Sequence, residues 1–348
     1  MHILEFDYHL PTELIAQEPA LKRDLSRMMI VQRQENRFYD SEFSNFPSLL
    51  KENDCLVLND TKVFPARLKG QRAGFSAQVE IFLVRRLEQD FWEALVKPGR
   101  ALRVGSEAVF GKNELIAKIK ESLPNGRRIV EFISQTKETV DELIDRLGLT
   151  PLPPYIKRDS PDELRLDDVR YQTVYAQSRG AIAAPTAGLH FTPEVLSNLE
   201  SQGVKIAKIT HHVGYGTFQP VRVDNITEHS IEAEQAIISE TSADIINQTK
   251  ASGGRVIAIG TTTTRALESA TNDLGQVVAG QYVTELFIYP SYKFKVIDGL
   301  LTNFHLPKSS LLMLVSAFAG HKLVMSAYNH AVDAKYKFYS YGDCMFLY

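Results

Sequence analysis

Hydrophobic period divides this chain into two kinds of segment, and that division limits the folds open to it. From Ala66 to Ile133 apolar residues recur every second position: Val79, Ile81 and Leu83; Trp92, Ala94 and Val96; Ile129, Glu131 and Ile133 bracket Val130 and Phe132. Pro98-Gly99, Gly105-Ser106, Gly111-Lys112-Asn113 and Pro124-Asn125-Gly126 punctuate these runs. Short alternating runs with frequent turns predict an antiparallel β module closed as a small barrel. A helix from about Lys137 follows, with Val140, Leu143, Ile144 and Leu147 on one face and Gly148 as its stop. The stiff run Pro151-Leu152-Pro153-Pro154 then marks a boundary.

On both sides of the module, apolar runs too short for period two alternate with helical stretches. Strands are expected at Met28–Val31, Cys55–Leu58, Lys205–Ile209, Arg255–Ile259 and Val283–Tyr289. Helices are expected at Pro193–Ser201, Ala243–Ala251, Ala266–Thr271 and Leu311–Phe318. The order predicts an α/β body, with a mixed sheet or barrel core and surrounding helices, formed by residues 1–64 plus 151–348. Residues 65–150 are an inserted all-β barrel domain.

Charge follows the same division. Lys62 to Thr150 holds 16 Lys and Arg against 12 Asp and Glu, a surplus of four in a chain of net charge −3, which leaves −7 for the rest. A basic segment on an acidic body suits a localised polyanion surface and argues against a generally basic nucleic-acid binder. At 44% hydrophobic and 23% charged residues, a 348-residue chain can bury a large core. The two cysteines, Cys55 and Cys344, form neither a disulfide framework nor a metal-ligand spacing. Acids at Glu5 and Asp7 stand where a signal peptide is basic, and the most apolar segment, Leu311–Phe318, is far shorter than a membrane span. The expectation is a cytoplasmic protein without metal or membrane.

Chemistry is expected where apolar strands end in polar residues, because open α/β sheets bind ligands at those ends. The richest such stretch is Ala183–Pro193. Pro185 fixes its own φ, Gly188 permits a φ that other residues avoid, and Thr192-Pro193-Glu194 reads as a helix start. The turn thereby presents Thr186 and His190 at a helix mouth. Four other junctions are polar in the same way. They are Asn59-Asp60-Thr61, His211-His212 before Gly214-Tyr215-Gly216-Thr217, Gly260-Thr261-Thr262-Thr263-Thr264-Arg265, and Asn303 with His305. Taken singly, each is also what a helix cap or tight turn looks like. The Gly260 run suits an anion at a helix start, yet it has neither Walker nor G-x-G-x-x-G spacing. His211 and His212 point opposite ways along an extended backbone. No H-x-x-x-H, no G-x-S-x-G elbow and no catalytic cysteine context occurs.

Several of these stretches are long and specific. Leu58–Leu68, Ala183–Thr192, His212–Val221, Gly260–Glu268, Thr302–Gly320 and Phe338–Asp343 together resemble the S-adenosylmethionine:tRNA ribosyltransferase-isomerase family of queuosine biosynthesis, in order and nearly end to end. The resemblance implies an α/β body with an inserted β-barrel, and a reaction that consumes S-adenosylmethionine. Its ribosyl portion is moved onto 7-aminomethyl-7-deazaguanine at the wobble position of a tRNA with a GUN-type anticodon, giving epoxyqueuosine, adenine and methionine. It also implies a monomer.

That chemistry needs a base for the C5′ proton that the sulfonium acidifies, an acid for departing adenine, and a free attacking amine. The resemblance makes His190, His212, His305 and Asp343 the candidates for proton transfer. It assigns Asn59, Asp60, Thr61, Pro185, Thr186, Gly188, Gly214, Tyr215, Gly216, Thr217, Gly260, Thr261, Thr262, Arg265 and Asn303 to substrate binding. Arg265 and the threonine run suit the methionine carboxylate or a tRNA phosphate, and Tyr215 offers the sulfonium an aromatic face. Four positions depart from the family pattern. His211 stands for Leu and so carries no expected catalytic role; Glu232 stands for His, Arg179 for Pro and Cys344 for Ala.

Two alternatives remain. An S-adenosylmethionine-dependent RNA methyltransferase would show a glycine-rich loop after an early strand, and none is present. A non-catalytic RNA-binding module would be broadly basic.

Overall fold

The computed structural model describes residues 1–158, 160–214, 216 and 221–348. Strands β1 (Arg27–Gln32), β2 (Arg37–Glu42), β3 (Cys55–Asn59) and β4 (Thr61–Val63) precede the barrel. The barrel comprises β5 (Arg67–Arg72), β6 (Gln78–Glu88), β7 (Phe91–Lys97), β8 (Glu107–Phe110), β9 (Leu115–Ser122) and β10 (Arg128–Ser134). Helices α1 (Val140–Leu147) and α2 (Pro161–Arg170) lead to β11 (Ser178–Ala181), α3 (Pro193–Ser201), β12 (Lys205–His211), β13 (Glu234–Ile238), α4 (Glu240–Ala251) and β14 (Val256–Ile259). The chain ends with α5 (Thr261–Ser269), β15 (Gly280–Thr284), β16 (Gly299–Asn303), α6 (Ser310–Ala319), α7 (His321–Asp333) and β17 (Cys344–Leu347).

The body is built on a nine-stranded mixed sheet of order β15-β13-β12-β3-β14-β16-β17-β1-β2. Its centre, β12-β3-β14-β16, is parallel. Strands β3, β14 and β16 are buried at every position, because side chains on both pleat faces meet cover. Val57, Ala258 and Leu300 join the core on one face with α6 and α7; Leu58, Ile259 and Leu301 join Phe43, Phe46 and Phe191 on the other. Burying runs of this kind is what makes a parallel sheet stable.

The barrel closes in the order β10-β7-β6-β5-β8-β9, with its own core of Leu68, Ile81, Leu83, Trp92, Phe110 and Phe132, against which α1 packs Leu143 and Ile144. The chain leaves and re-enters the body at one place, where Arg67 pairs with Leu149. The expected inserted barrel is therefore present.

Local expectations fared unevenly. Helix α3 has the expected bounds, with Thr192 accepting from the Val195 amide and Pro193 at its first position. Helix α5 begins at Thr261, five residues before the expected Ala266, so the threonine run lies inside a helix. The strand expected at Val283–Tyr289 is β15, Gly280–Thr284. Gly188 does not adopt a left-handed φ; a Cβ there would lie 2.1 Å from the Tyr175 hydroxyl oxygen, so close approach explains the glycine. At Gly260 φ is +94°, a value glycine tolerates. Among the described residues no single helix is long and apolar enough to cross a membrane; α6 and α7 pass that test only as a pair bent by 119°.

Candidate active site

Parallel strands end on one edge, so the sheet gathers the polar junctions of β3, β12, β14 and β16 by construction. Strands β13 and β17 run the other way and bring their first residues there: Glu234 beside β12, and Cys344 opposite Asn303. At this edge lies an open cleft with about 560 Å³ of empty space. Pro185 and Thr186 form one side, Gly260, Thr261 and Thr262 the floor, and Asn303 and His305 the end of β16. Tyr155, Tyr171 and Tyr339 supply an aromatic wall, with the rings of Tyr155 and Tyr339 edge to face at 4.0 Å.

Only part of the threonine run faces the cleft. Thr263 and Thr264 return their hydroxyls to the carbonyls of Ile259 and Gly260, at 2.6 and 3.2 Å. Back-bonding of this kind satisfies a hydroxyl within its own helix. Thr261 and Thr262 remain to line the cleft beside the first amides of α5, where the helix dipole favours negative charge.

The histidines differ in what they touch. His305 is buried in the cleft wall with Nε2 2.9 Å from the Thr302 hydroxyl, and burial pushes its pKa down to about 3. His190 lies behind the cleft. The Asn303 amide nitrogen donates to the Tyr339 carbonyl at 2.9 Å, so Oδ1 faces His190 Nε2, 3.3 Å away. Nε2 therefore carries the hydrogen, and Nδ1, 2.6 Å from the Ser26 hydroxyl, accepts. Burial lowers the His190 pKa to about 4, outweighing the Asn303 bond that raises it. His190 thus orients Asn303 rather than touching the cleft. His212 is part-buried, with Nδ1 2.8 Å from the Thr61 hydroxyl; burial and the neighbouring His211 lower its pKa, against the pull of Asp60.

Asp343 does not line the cleft. Its two oxygens accept the backbone N–H groups of Arg27 and Lys337, at 2.8 and 2.7 Å. Burial raises its pKa although both bonds oppose the shift. Asn59 is likewise held, bonding both backbone groups of His211 across the β3–β12 pair at 2.9 Å each. Asp60 accepts from the Thr210 hydroxyl at 2.6 Å. Gly188 packs on Tyr175, and Gly216 and Arg265 line a neighbouring cavity. Tyr215 and Thr217 lie outside the described residues.

Beneath the cleft sits a buried ionic network. His211 places Nδ1 2.9 Å from the Thr262 carbonyl and Nε2 3.0 Å from Glu234. Arg265 donates to the same Glu234 oxygen at 2.6 Å, and the Gly214 amide donates to the other at 2.8 Å. Burial alone would raise the Glu234 pKa; the His211 bond and the charges of His211 and Arg265 hold it well below the ordinary range. Glu234 had no signal in the sequence, being one acid among several near Glu232. The three tyrosines were equally hidden: Tyr155 follows the proline run, and Tyr339 sits in the closing aromatic stretch. Among the described residues, no three His, Cys, Asp or Glu side chains converge as a metal site would require.

Comparison with known proteins adds to this geometry. Residues 3–347 match the model of a family described as queuosine biosynthesis protein. A protein of Moorella thermoacetica named S-adenosylmethionine:tRNA ribosyltransferase-isomerase is 50% identical over the full length of both chains. One of the same name from Acetivibrio thermocellus is 47% identical, again covering both chains completely. A crystal structure of S-adenosylmethionine tRNA ribosyltransferase from Thermotoga maritima aligns with a TM-score of 0.55 at 36% identity, covering 99% of this chain and 100% of that one.

Proposed function

The chain belongs to the queuosine biosynthesis protein family and is a transferase-isomerase of tRNA modification, and from that premise we propose that its cleft moves the ribosyl portion of S-adenosylmethionine onto 7-aminomethyl-7-deazaguanine in tRNA. The products are epoxyqueuosine-tRNA, adenine and methionine. The acceptor is the wobble base of a GUN-type anticodon, and the working unit is a cytoplasmic monomer in which residues 65–150 form the inserted domain.

One observation supports this reading: a single cleft combines the buried, neutral imidazole of His305 with hydroxyls at a helix start and an aromatic wall. A base must be neutral to take the C5′ proton, and burial keeps His305 and His212 in that form at pH 7. Tyr155 and Tyr339 offer faces to a sulfonium or a purine. Thr186, Thr261 and Thr262 supply hydroxyl donors for ribose and base oxygens and nitrogens, beside Asn303, whose amide is held by the Tyr339 carbonyl. His190 positions Asn303, and Asp343 ties the segment leading to Tyr339 to the start of β1.

The test is mass spectrometry of the nucleoside after incubation with S-adenosylmethionine and tRNA carrying the 7-aminomethyl-7-deazaguanine base. The expected result is a ribosyl-derived mass gain with equimolar adenine. A methyl-sized gain with S-adenosylhomocysteine would establish the methyltransferase instead. Tight tRNA binding without any mass change would leave a binding module.

A further inference from the structure

Two chain crossings join the barrel to the body, and they lie side by side at Arg67 and Leu149, so covalent attachment alone would let the barrel swing. Among the described residues, ion pairs cross the boundary at two points. Near the crossings, Arg179 on β11 meets Asp141 and Asp145 on α1, at 3.5 and 2.8 Å, beside an apolar seam where Phe64 and Ile182 join the barrel core. The second point is at the other end of β10, seven residues and roughly 23 Å along the strand. There Arg127 places Nη2 2.6 and 2.8 Å from the two oxygens of Glu232 in the body.

This second tie is built unequally. Arg127 is held on the barrel side, where Nη1 donates to Glu93 at 2.9 Å and the Glu93 side chain is 4% exposed. A buried pair of that kind stays made. The Glu232 side chain is 40% exposed, so water can replace its half of the contact. Arg127 is therefore a fixed catch, and Glu232 is the part that can let go. Glu232 also packs on the loop that leaves β12, because a Cβ on Gly216 would lie 3.1 Å from its own Cβ. Two residues on, Glu234 accepts the Gly214 amide and anchors His211 and Arg265 beneath the cleft.

We infer that Arg127 and Glu232 form a latch that fixes the barrel against the flank of the cleft, and that both are positioning residues for the RNA acceptor. No barrel residue lines the cleft, so a small donor has no need of the latch. An RNA long enough to touch both parts has its register with the cleft set by the angle between them. Such contact is available beside the catch: Arg100 and Arg103 are exposed in the loop whose Leu102 carbonyl accepts from Arg128 at 3.4 Å. The role toward the acceptor rests on the tRNA reading proposed above, whereas the latch itself is measurable without substrate.

Double electron–electron resonance on the full-length protein, spin-labelled at Glu121→Cys on β9 and Asp244→Cys on α4, measures the barrel–body distance. Both positions are exposed, and the native Cys55 and Cys344 are buried, so the labels go to the introduced thiols. Glu232→Gln leaves the Arg127–Glu93 pair intact and is expected to raise the ratio of longer to shorter distances about 1.5- to 5-fold, the worth of a partly exposed pair. Added salt is expected to do the same to the unsubstituted latch and little to the variant. Arg127→Lys keeps a cation between the two acids and is expected to stay near wild type. In turnover, Glu232→Gln is expected to raise KM for tRNA by up to the same factor, with the calorimetric Kd for S-adenosylmethionine within about twofold of wild type. An unchanged distance ratio in Glu232→Gln overturns the latch. A shifted ratio with KM for tRNA unchanged, or an equal loss of donor affinity, overturns its role toward the acceptor. A shifted ratio in a protein whose wild type releases no adenine with tRNA present would sink the reaction and leave the latch standing.

Discussion

The barrel and the sheet edge both hold many charges, but they place them differently. On the barrel, Lys118 pairs with Glu107, Lys120 with Glu131 and Arg146 with Glu114 and Glu138, each with at least one partner substantially exposed. At the sheet edge, His211, Glu234 and Arg265 form a network in which no side chain is more than 5% exposed. Exposed pairs are screened and worth little, whereas a buried ion is tolerated only while its partners stay. The barrel can therefore lose one of these exposed pairs and keep its shape, whereas its buried Glu93–Arg127 pair is as demanding as the body's network. The body cannot lose one without leaving an uncompensated charge under the cleft.

The sharpest way to break this comparison is Glu234→Ala. It removes the acceptor shared by His211, Arg265 and the Gly214 amide, leaving a buried guanidinium without its counter-charge. The expected cost is about 3–5 kcal/mol, read as a fall in the urea midpoint, together with loss of adenine release. A variant within about 1 kcal/mol of wild type would mean that the network is no more demanding than the barrel surface.

Acid separates the two regions next. All nine histidines lie outside residues 65–150. His190 has a folded pKa of about 4 against an ordinary 6.5, so the unfolded chain binds its proton first as pH falls. Its contribution is fully present above pH 6.5 and is lost progressively down to pH 4, about 3 kcal/mol in all. His305, lowered to about 3, acts in the same direction. In the barrel, burial pushes Glu93 up, but hydrogen bonds from Arg127 and Arg85 outweigh it and hold its pKa below 4.5, so its contribution is lost only at lower pH. Between about pH 7 and 5, the urea midpoint by circular dichroism is expected to fall, while the fluorescence of Trp92, the one tryptophan and a barrel residue, shifts less. Coincident shifts by both probes would show that the two regions unfold as one unit.

The contrast also explains what the sequence made legible. Period two and turn residues are local signals, so the barrel strands and the bounds of α3 could be read directly. The polar junctions were legible as a set because parallel strands send their ends to one edge whatever the loops do. Three things depended on contacts between distant residues. The role of Gly188 comes from Tyr175, thirteen positions earlier, not from its own φ. The orientation of Asn303 comes from His190 and the Tyr339 carbonyl. Asp343 has the composition of a base, yet it spends both oxygens on backbone amides from two other segments. Helix α5 started early because Thr263 and Thr264 satisfy their hydroxyls inside the helix, an option that a count of β-branched residues ignores.

The smallest effect belongs to the barrel surface. Lys120 on β9 lies 3.1 Å from Glu131 on the neighbouring β10, with side chains 43% and 27% exposed. Lys120→Ala exchanges this pair for water contacts on both groups, and the expected cost is about 0.2–1 kcal/mol, shrinking further as salt rises. Strand pairing between β9 and β10 runs through seven residue pairs and does not depend on the side chain. Adenine release from S-adenosylmethionine should be unchanged, because no residue of β9 lines either cavity. A loss of turnover with tRNA present, at unchanged stability, would give this face of the barrel a part in holding the phosphate backbone. The barrel's surplus of positive charge would then be working surface, and the division between a tolerant barrel and a demanding body would hold for folding alone.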